Sequence, residues 1–248
     1  MADFAMKIAG CVARIHSIFE STPAFFSRYL TDLPAHFEIT VTQADVDFER
    51  QAHLQEALEE GFRPRNFPDT FLERASIQRK FAEALFDNDT LLLHGSTVAV
   101  DGKAYLFTAK SGTGKSTHTR LWCQRFGERA VMVNDDKPFL KFTGDQVLAC
   151  GSPWSGKHGL DTNICVPLQG ICILERGTEN RIRPISPAEA MPMLLHQSQK
   201  PLNSALLTKY QLLVEELAQR TALWHMECNK DISAAETAYN AMKIRPEC

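Results

Sequence analysis

The chain has 248 residues, of which 44% are hydrophobic and 23% charged, and this composition excludes disordered and fibrous proteins. Its 27 basic and 30 acidic residues give a net charge of −3 without a run of like charge, which argues against a nucleic-acid or membrane-surface binder. The length allows one large α/β domain, or a core domain that carries a smaller appendage.

The cysteines indicate neither a disulfide framework nor a zinc site, because their number is odd and no C-x-x-C pair occurs. The seven are Cys11, Cys123, Cys150, Cys165, Cys172, Cys228 and Cys248. The first thirty residues lack a signal-peptide pattern, and no apolar run approaches the roughly 20 residues of a membrane span. We therefore expect a cytoplasmic protein without a membrane partner.

The opening of the chain is predicted to be β-rich. Phe4, Met6 and Ile8 alternate with other residues as in a half-buried strand, and Phe37–Val41 repeats the signal. Two strands are therefore expected here.

Two helices are predicted next, because apolar residues recur at helical spacing over 45–60 and 69–86. Asp69 or Thr70 is suited to cap the second helix. Residues 1–88 are thus interpreted as a small N-terminal α+β appendage with a soft boundary.

Residues 89–248 are predicted to form a mixed, largely β core with flanking helices. Leu91–His94 is typical of a buried strand, and Asp101-Gly102 between Ser96–Val100 and Lys103–Thr108 predicts a tight hairpin. Further strands are predicted at 130–133, 139–142, 146–150, 166–174 and 222–227, and helices at 187–197, 203–220 and 233–242.

The strongest motif is a phosphate-binding loop at Ala109–Ser116, which fits G-x-x-x-x-G-K-S/T, the Walker A or P-loop pattern, except that alanine replaces the first glycine. A strand precedes the loop and a helix begins near Lys115. Glycines let successive N–H groups converge on phosphate, Lys115 would reach the β- and γ-phosphates, and the Ser116 hydroxyl would bind the metal. The expected nucleotide-binding residues are Ser111, Gly112, Thr113, Gly114, Lys115, Ser116 and Thr117.

A short apolar strand ends on Asn134-Asp135-Asp136, about twenty residues after the loop. Magnesium bound to phosphates needs one or two carboxylates, and a phosphoryl acceptor needs a base. Two adjacent acids can divide these roles. The alternative is a polar turn that ends the strand before Lys137-Pro138.

Two further features are candidates for the same site. His94 ends a buried strand one hairpin before the loop, where it could pair with an acidic residue or with phosphate. The segment 151–163 is dense in glycine, hydroxyl and cationic groups; Lys157 and His158 could neutralise the transferring phosphoryl group, and Trp154 could exclude water. The alternative is a surface loop with one anchoring tryptophan.

Residues 90–175 resemble bacterial HPr kinase/phosphorylase, which has the P-loop fold of phosphoenolpyruvate carboxykinase. The resemblance rests on His94-Gly95-Ser96, the loop, Val133–Asp136, and Gly159-Leu160 before an apolar strand. It implies that Asp135 is the catalytic base towards a serine hydroxyl, that Asp136 lies near the metal, and that His94 matches the histidine before the hairpin. Thr117 stands where that family usually has glutamate.

These observations predict a kinase that uses ATP and Mg²⁺ to phosphorylate a serine-type hydroxyl of a peptide, protein or small molecule. Its catalytic residues are expected to be Asp135, His94, Lys115 and Lys157, with Ser116 and Asp136 at the metal. A nucleotide-binding sensor without turnover is the alternative, and a carboxykinase-like enzyme is a more remote one. The acceptor, the preferred nucleotide and a homo-oligomeric state are left open, and no nucleic-acid partner is expected.

Overall fold

The computed structural model describes residues 1–59, 61 and 63–244. The chain forms two compact units, Met1–Leu85 and Phe86–Cys248. The boundary drawn from the sequence, after residue 88, falls at the end of a 3-10 helix, Leu85–Asn88. Glu60 and Cys248, which the sequence analysis also considered, lie outside the described residues.

The first unit contains a three-stranded sheet. β1 (Ala2–Ile8) and β2 (Cys11–Ser17) form an antiparallel hairpin, and β3 (Phe37–Thr40) pairs with β2 in parallel. The predictions of β1 and β3 are confirmed. β2 was not predicted, because its first three residues are all buried and therefore do not alternate.

The helices of the first unit are α1 (Thr22–Phe25), α2 (Gln43–Glu59) and α3 (Asp69–Ala84). The two long helices were predicted, but the predicted cap of α3 is wrong. The N-cap is Pro68, whose ψ of 151° is extended, and neither Asp69 nor Thr70 occupies that position. Asp69 instead lies in the first turn, where its charge favours the helix dipole.

In the described part of the second unit, nine strands form one mixed sheet. Their bounds are β4 Thr90–Leu92, β5 Ser96–Val100, β6 Lys103–Thr108, β7 Ala130–Asn134, β8 Phe139–Thr143, β9 Gln146–Cys150, β10 Cys165–Arg176, β11 Arg181–Pro184 and β12 Ala222–Cys228. The strand order is β4-β8-β9-β10-β6-β5-β7, with β12 beside β10 and β11 beside β12. The helices are α4 Lys115–Phe126, α5 Pro187–Gln197, α6 Leu207–Arg220 and α7 Ser233–Met242.

Both faces of this sheet are buried. Alternate residues of the central strand β6 belong to opposite apolar clusters, Leu106 to one and Phe107 to the other. Helices α5 and α6 contribute to the first cluster, and α4 and α7 to the second. This arrangement confirms the predicted mixed α/β class. Among the described residues, no helix is both long and apolar enough to cross a membrane.

Candidate active site

The sheet topology brings the predicted site residues to one edge. β6 and β10 are parallel, so the loop after Thr108 and the end of β10 lie at the same edge. β5 is antiparallel to both β6 and β7, and therefore Ser96 at its start and Asn134 at the end of β7 reach that edge too. The phosphate loop, the acidic pair and His94 thus share one end of the sheet.

The loop adopts the backbone that its glycines predict. Gly112 has φ of 74° and Gly114 has φ of 125°, both in the region that glycine tolerates best. A Cβ at either position would meet nothing within 4 Å, so the backbone angle and not crowding demands glycine. Helix α4 begins directly after Gly114, and the N–H of His118 donates to the Gly114 carbonyl at 2.9 Å.

Alanine at the first loop position is compatible with this geometry. In the described chain the non-glycine residues with positive φ are Ala9, Asp89 and Asp101, so Ala109 needs no glycine angle. Its methyl group is fully buried in the apolar cluster beneath α4. The alanine therefore adds core packing at a position whose backbone angle does not require glycine.

Lys115 connects the loop to the acidic pair. Its Nζ donates to the carbonyl oxygen of Ala109 at 3.1 Å, and its side chain is buried. Burial lowers the pKa of Lys115 below its usual value, and Lys137 adds to this effect, whereas the carboxylates of Asp136 and Asp135 oppose it. The ammonium therefore lies within electrostatic reach of both predicted acids.

The remaining loop residues are more exposed than Lys115. Ser111 is exposed, whereas Thr113, Ser116 and Thr117 are half-buried. Ser116 and Thr117 follow Lys115 in the first turn of α4. Their hydroxyls thus lie at the positive end of the helix dipole.

Asp135 is nearly fully buried and is held by hydrogen bonds. Its Oδ1 accepts a hydrogen bond from Ser96 Oγ at 2.8 Å, and Ser96 Oγ lies 2.7 Å from Thr119 Oγ1. Ser96 and Thr119 are themselves completely buried. The carboxylate is therefore held by Ser96, which is in turn bonded to Thr119. The sequence analysis named Ser96 only within the His94-Gly95-Ser96 motif and at the start of a strand, and did not name Thr119.

Asp136 pairs with His94, whose Nε2 lies 3.1 Å from Asp136 Oδ1. Burial lowers the pKa of His94 in spite of this contact, so the ring is neutral at pH 7 and donates from Nε2. Burial also opposes ionisation of Asp136, but the hydrogen bond from His94 and the charges of Lys137 and Lys115 outweigh it and lower the pKa of the carboxyl. Asp136 is thus an ionised carboxylate at the sheet edge.

Asn134 shapes the turn that presents both acids. Its Oδ1 accepts from the N–H groups of Asp136 at 2.7 Å and Lys137 at 2.5 Å, and its Nδ2 donates to the carbonyl of Ser152 at 2.8 Å. The pairing of β5 with β7 also shifts here, so that Val133 is an extra residue. Such a bulge re-aims the following side chains.

The segment 151–164 packs beside this turn. Gly151 is obligatory, because a Cβ there would lie 1.9 Å from the carbonyl oxygen of Thr162. A Cβ at Gly156 would lie 3.4 Å from Asp135 Oδ2, so this loop covers the acid. Trp154 is buried, whereas Lys157 and His158 are exposed in a turn.

Two charged residues near the site were missed by the sequence reasoning. Arg176, at the end of β10, donates from Nη2 to the Gly112 carbonyl at 2.5 Å and from Nε to the Thr113 carbonyl at 3.4 Å. Lys137 acts electrostatically on His94 and Lys115. Its place directly after the acidic pair was a usable signal, whereas nothing in the sequence relates Arg176 to a loop more than sixty residues earlier.

The structure contains a disulfide that the cysteine count did not predict. Cys150 and Cys165 are opposite each other in β9 and β10, and their sulfurs are bonded. The bond closes the base of the segment 151–164. The pair becomes apparent only from the register of the two strands. The number and spacing of the cysteines do not reveal that register.

Comparison with known proteins gives a family and distant structural likenesses. The chain is similar to the Hpr(Ser) kinase/phosphatase from Coxiella burnetii at 15% identity and a TM-score of 0.30, over 52% of this chain and 97% of the other. None of the curated proteins compared with the chain matches it. Residues 75–229, more than half of the chain, match the model of the SynChlorMet cassette protein ScmC family. The chain therefore belongs to the ScmC family.

Proposed function

We propose that this protein is an ATP-dependent phosphotransferase that moves the γ-phosphoryl group to a serine-type hydroxyl of a peptide, a protein or a small molecule. The observation that carries the proposal is the position of Lys115, which lies between a glycine-shaped loop and two acids at one edge of a sheet. A lysine at a helix start and carboxylates at a strand end are the parts that phosphoryl transfer requires.

The loop supports nucleotide binding. The first turn of α4 presents backbone N–H groups at the positive end of a 12-residue helix, directly after the loop. Lys115 would leave the Ala109 carbonyl and pair with the β- and γ-phosphates. The hydroxyl groups of Thr113 and Thr117 add donors beside them.

The donor set also fits Mg²⁺, which prefers oxygen ligands and retains several waters. Ser116 would supply a hydroxyl, and Asp136 supplies a carboxylate whose pKa is lowered and whose Oδ1 is oriented by His94. When bound, the ion would neutralise charge on the β- and γ-phosphates. His94 would act by orienting Asp136.

Asp135 would act as the base. The acceptor hydroxyl gives its proton to the Asp135 carboxylate while its oxygen bonds to the γ-phosphorus. The bond from that phosphorus to the bridging oxygen breaks, and the electron pair leaves with ADP. Lys157, in the exposed turn next to Gly156, would neutralise charge on the moving phosphoryl group.

The test measures turnover and binding separately. The protein is incubated with Mg²⁺ and ATP labelled at the γ-phosphate, with water, serine-containing peptides and a mixture of proteins as acceptors. Replacement of Asp135 by asparagine should lower transfer or hydrolysis about a hundredfold or more, because the base is lost, and leave Mg·ATP affinity within about threefold. Asp145→Asn, which removes an exposed aspartate from the turn between β8 and β9, is the matched control and should retain activity.

Two results would contradict the proposal. Magnesium-dependent ATP binding without transfer or hydrolysis would identify a nucleotide-binding sensor. A calorimetric titration without magnesium-dependent uptake of ATP would exclude both functions.

A further inference from the structure

Three buried side chains form a continuous hydrogen-bonded chain from the predicted base to helix α4. Asp135 Oδ1 lies 2.8 Å from Ser96 Oγ, which lies 2.7 Å from Thr119 Oγ1. The exposed fractions of Ser96 and Thr119 are 0%, and that of Asp135 is 3%. Water therefore does not compete for these bonds.

The number of hydroxyl protons fixes which atom donates in each of these hydrogen bonds. Ser96 Oγ donates its single proton to Asp135 Oδ1. Ser96 can then only accept from Thr119, whose own proton is used in that bond. The carbonyls of Lys115 and Ser116 are farther from Thr119 Oγ1, both at 3.4 Å.

The two oxygens of Asp135 consequently differ. Oδ1 is held by Ser96, whereas Oδ2 is the side-chain atom of Asp135 nearest to Gly156, in the loop that covers the site. A Cβ at Gly156 would already lie within 3.4 Å of Oδ2. The second oxygen therefore faces a position of the loop that has no side chain.

We infer that Ser96 and Thr119 are positioning residues that hold Oδ1 of Asp135 and direct Oδ2 towards the acceptor hydroxyl. The inference rests on the proposed function. Hydrogen bonds to charged groups are strong enough to hold one orientation of a carboxylate in preference to others. Because Thr119 lies on the helix that begins at Lys115, the same contacts also fix the base relative to the phosphate loop.

The arrangement needs no reorganisation during transfer. When the acceptor proton arrives at Oδ2, Oδ1 still accepts from Ser96, and the directions of both hydroxyl bonds are retained. A base that is fixed before and after proton transfer is an example of preorganisation.

The first readout is independent of catalysis. In nucleotide-free protein labelled with ¹³C at aspartate side-chain carboxyls, the Asp135 resonance is assigned by its loss in Asp135→Asn. Replacement of Ser96 by alanine should displace this resonance, and Thr119→Val should displace it less, because that change weakens the bond from Ser96 without removing it. Thr119→Ser, which retains the hydroxyl, should leave it in place.

The second readout is kcat and KM, determined separately with Mg·ATP. The acceptor is whichever one gives the highest turnover, and water counts as one of the acceptors. Ser96→Ala should lower kcat about tenfold to a hundredfold with KM for ATP unchanged, and Thr119→Val should lower kcat a few-fold. The control is Thr97→Val, on the neighbouring position of β5. The Thr97 hydroxyl is buried without a hydrogen-bond partner in the described chain, so its removal should alter neither readout.

The inference is overturned if the Asp135 resonance does not move in Ser96→Ala, or if Thr119→Ser and Thr119→Val have equal effects. If Ser96→Ala does not fold, the two Thr119 variants decide alone, because valine keeps the shape of threonine and serine keeps its hydroxyl. Absence of turnover in the unchanged protein would refute the proposed function, whereas the resonance would still report whether the hydroxyls hold Asp135.

Discussion

Nζ of Lys115 lies 3.1 Å from the carbonyl oxygen of Ala109, so the ammonium folds back onto the loop that precedes its own helix. We predict that Lys115→Met lowers Mg·ATP affinity about tenfold to a hundredfold, because methionine fills the buried volume but cannot donate to phosphate. Isothermal calorimetry measures the change. The control is Lys110→Met, which removes an exposed lysine of the same loop; equal losses in the two variants would contradict a specific role of Lys115.

Ala109→Gly restores the consensus motif and tests whether the loop needs it. Because the Ala109 methyl group is fully buried, the change should lower the free energy of unfolding by about 1–2 kcal/mol, through lost burial and greater freedom of the unfolded chain. Affinity for Mg·ATP should stay within about twofold. Urea unfolding and calorimetry provide the two values, and a clear gain in affinity would show that the alanine impairs the loop.

The parts of the fold that the sequence predicted have local signals. The Asp101-Gly102 turn has φ of 51° and 76°, as its residue types indicate, and it sets the register of β5 and β6. β11 had no such signal. It is a four-residue strand with three exposed residues, and it exists because β12 offers a partner.

The candidate site was predictable to the same extent. The loop is one uninterrupted stretch of sequence and Asp135-Asp136 is another, so each pattern could be recognised by itself. The contacts of Ser96 with Asp135 and Thr119 span 39 and 23 residues, and they arise only when β5 pairs with β7 and α4 packs on the sheet. Residue types alone do not specify such contacts, because serine and threonine are equally suited to ordinary strand and helix positions.

Arg176 is predicted to hold the phosphate loop in shape. Its guanidinium donates to two loop carbonyls, of Gly112 and Thr113, in a forked geometry that lysine cannot reproduce. In Arg176→Lys, the loop amides of the nucleotide-free protein should exchange about three- to tenfold faster, and Mg·ATP affinity should fall by a similar factor. Hydrogen-exchange mass spectrometry and calorimetry measure these effects.

The control for Arg176 is Arg181→Lys, in which an exposed arginine paired with Glu179 keeps its charge. This variant should show neither change. Unaltered exchange of the loop in Arg176→Lys would mean that charge alone, and not the fork, accounts for any loss of affinity.

The disulfide between Cys150 and Cys165 is predicted to stabilise the segment over Asp135. The two cysteines are 15 residues apart, and closing a loop of this size is worth up to about 3 kcal/mol in the chain-entropy account. Reduction should lower the free energy of unfolding of the second unit by about 2–3 kcal/mol and accelerate tryptic cleavage at exposed Lys157. The double variant Cys150→Ser, Cys165→Ser is the control, and added reductant should not change it further.

His118 is predicted to make stability depend on pH. Burial lowers its pKa to about 4, and Trp122 Nε1 donates to its Nε2 at 3.1 Å, so a proton there would oppose the indole N–H. The unfolded chain takes up this proton near its ordinary pKa of 6.5, whereas the folded chain does so only near 4. Stability therefore rises with pH across this window and falls as the solution is acidified.

Acidification from about pH 7.5 to about pH 5 should remove about 2 kcal/mol from the free energy of unfolding through His118 alone. His118→Leu should be less stable at the higher pH, because the Trp122 N–H loses its acceptor, but it should lack this part of the acid-induced loss. Urea unfolding at both pH values gives the difference, with His158→Leu, an exposed histidine, as the control that should retain it. Equal pH dependence in His118→Leu and the unchanged protein would show that other groups cause the loss, and that His118 is not kept neutral by its burial against Trp122.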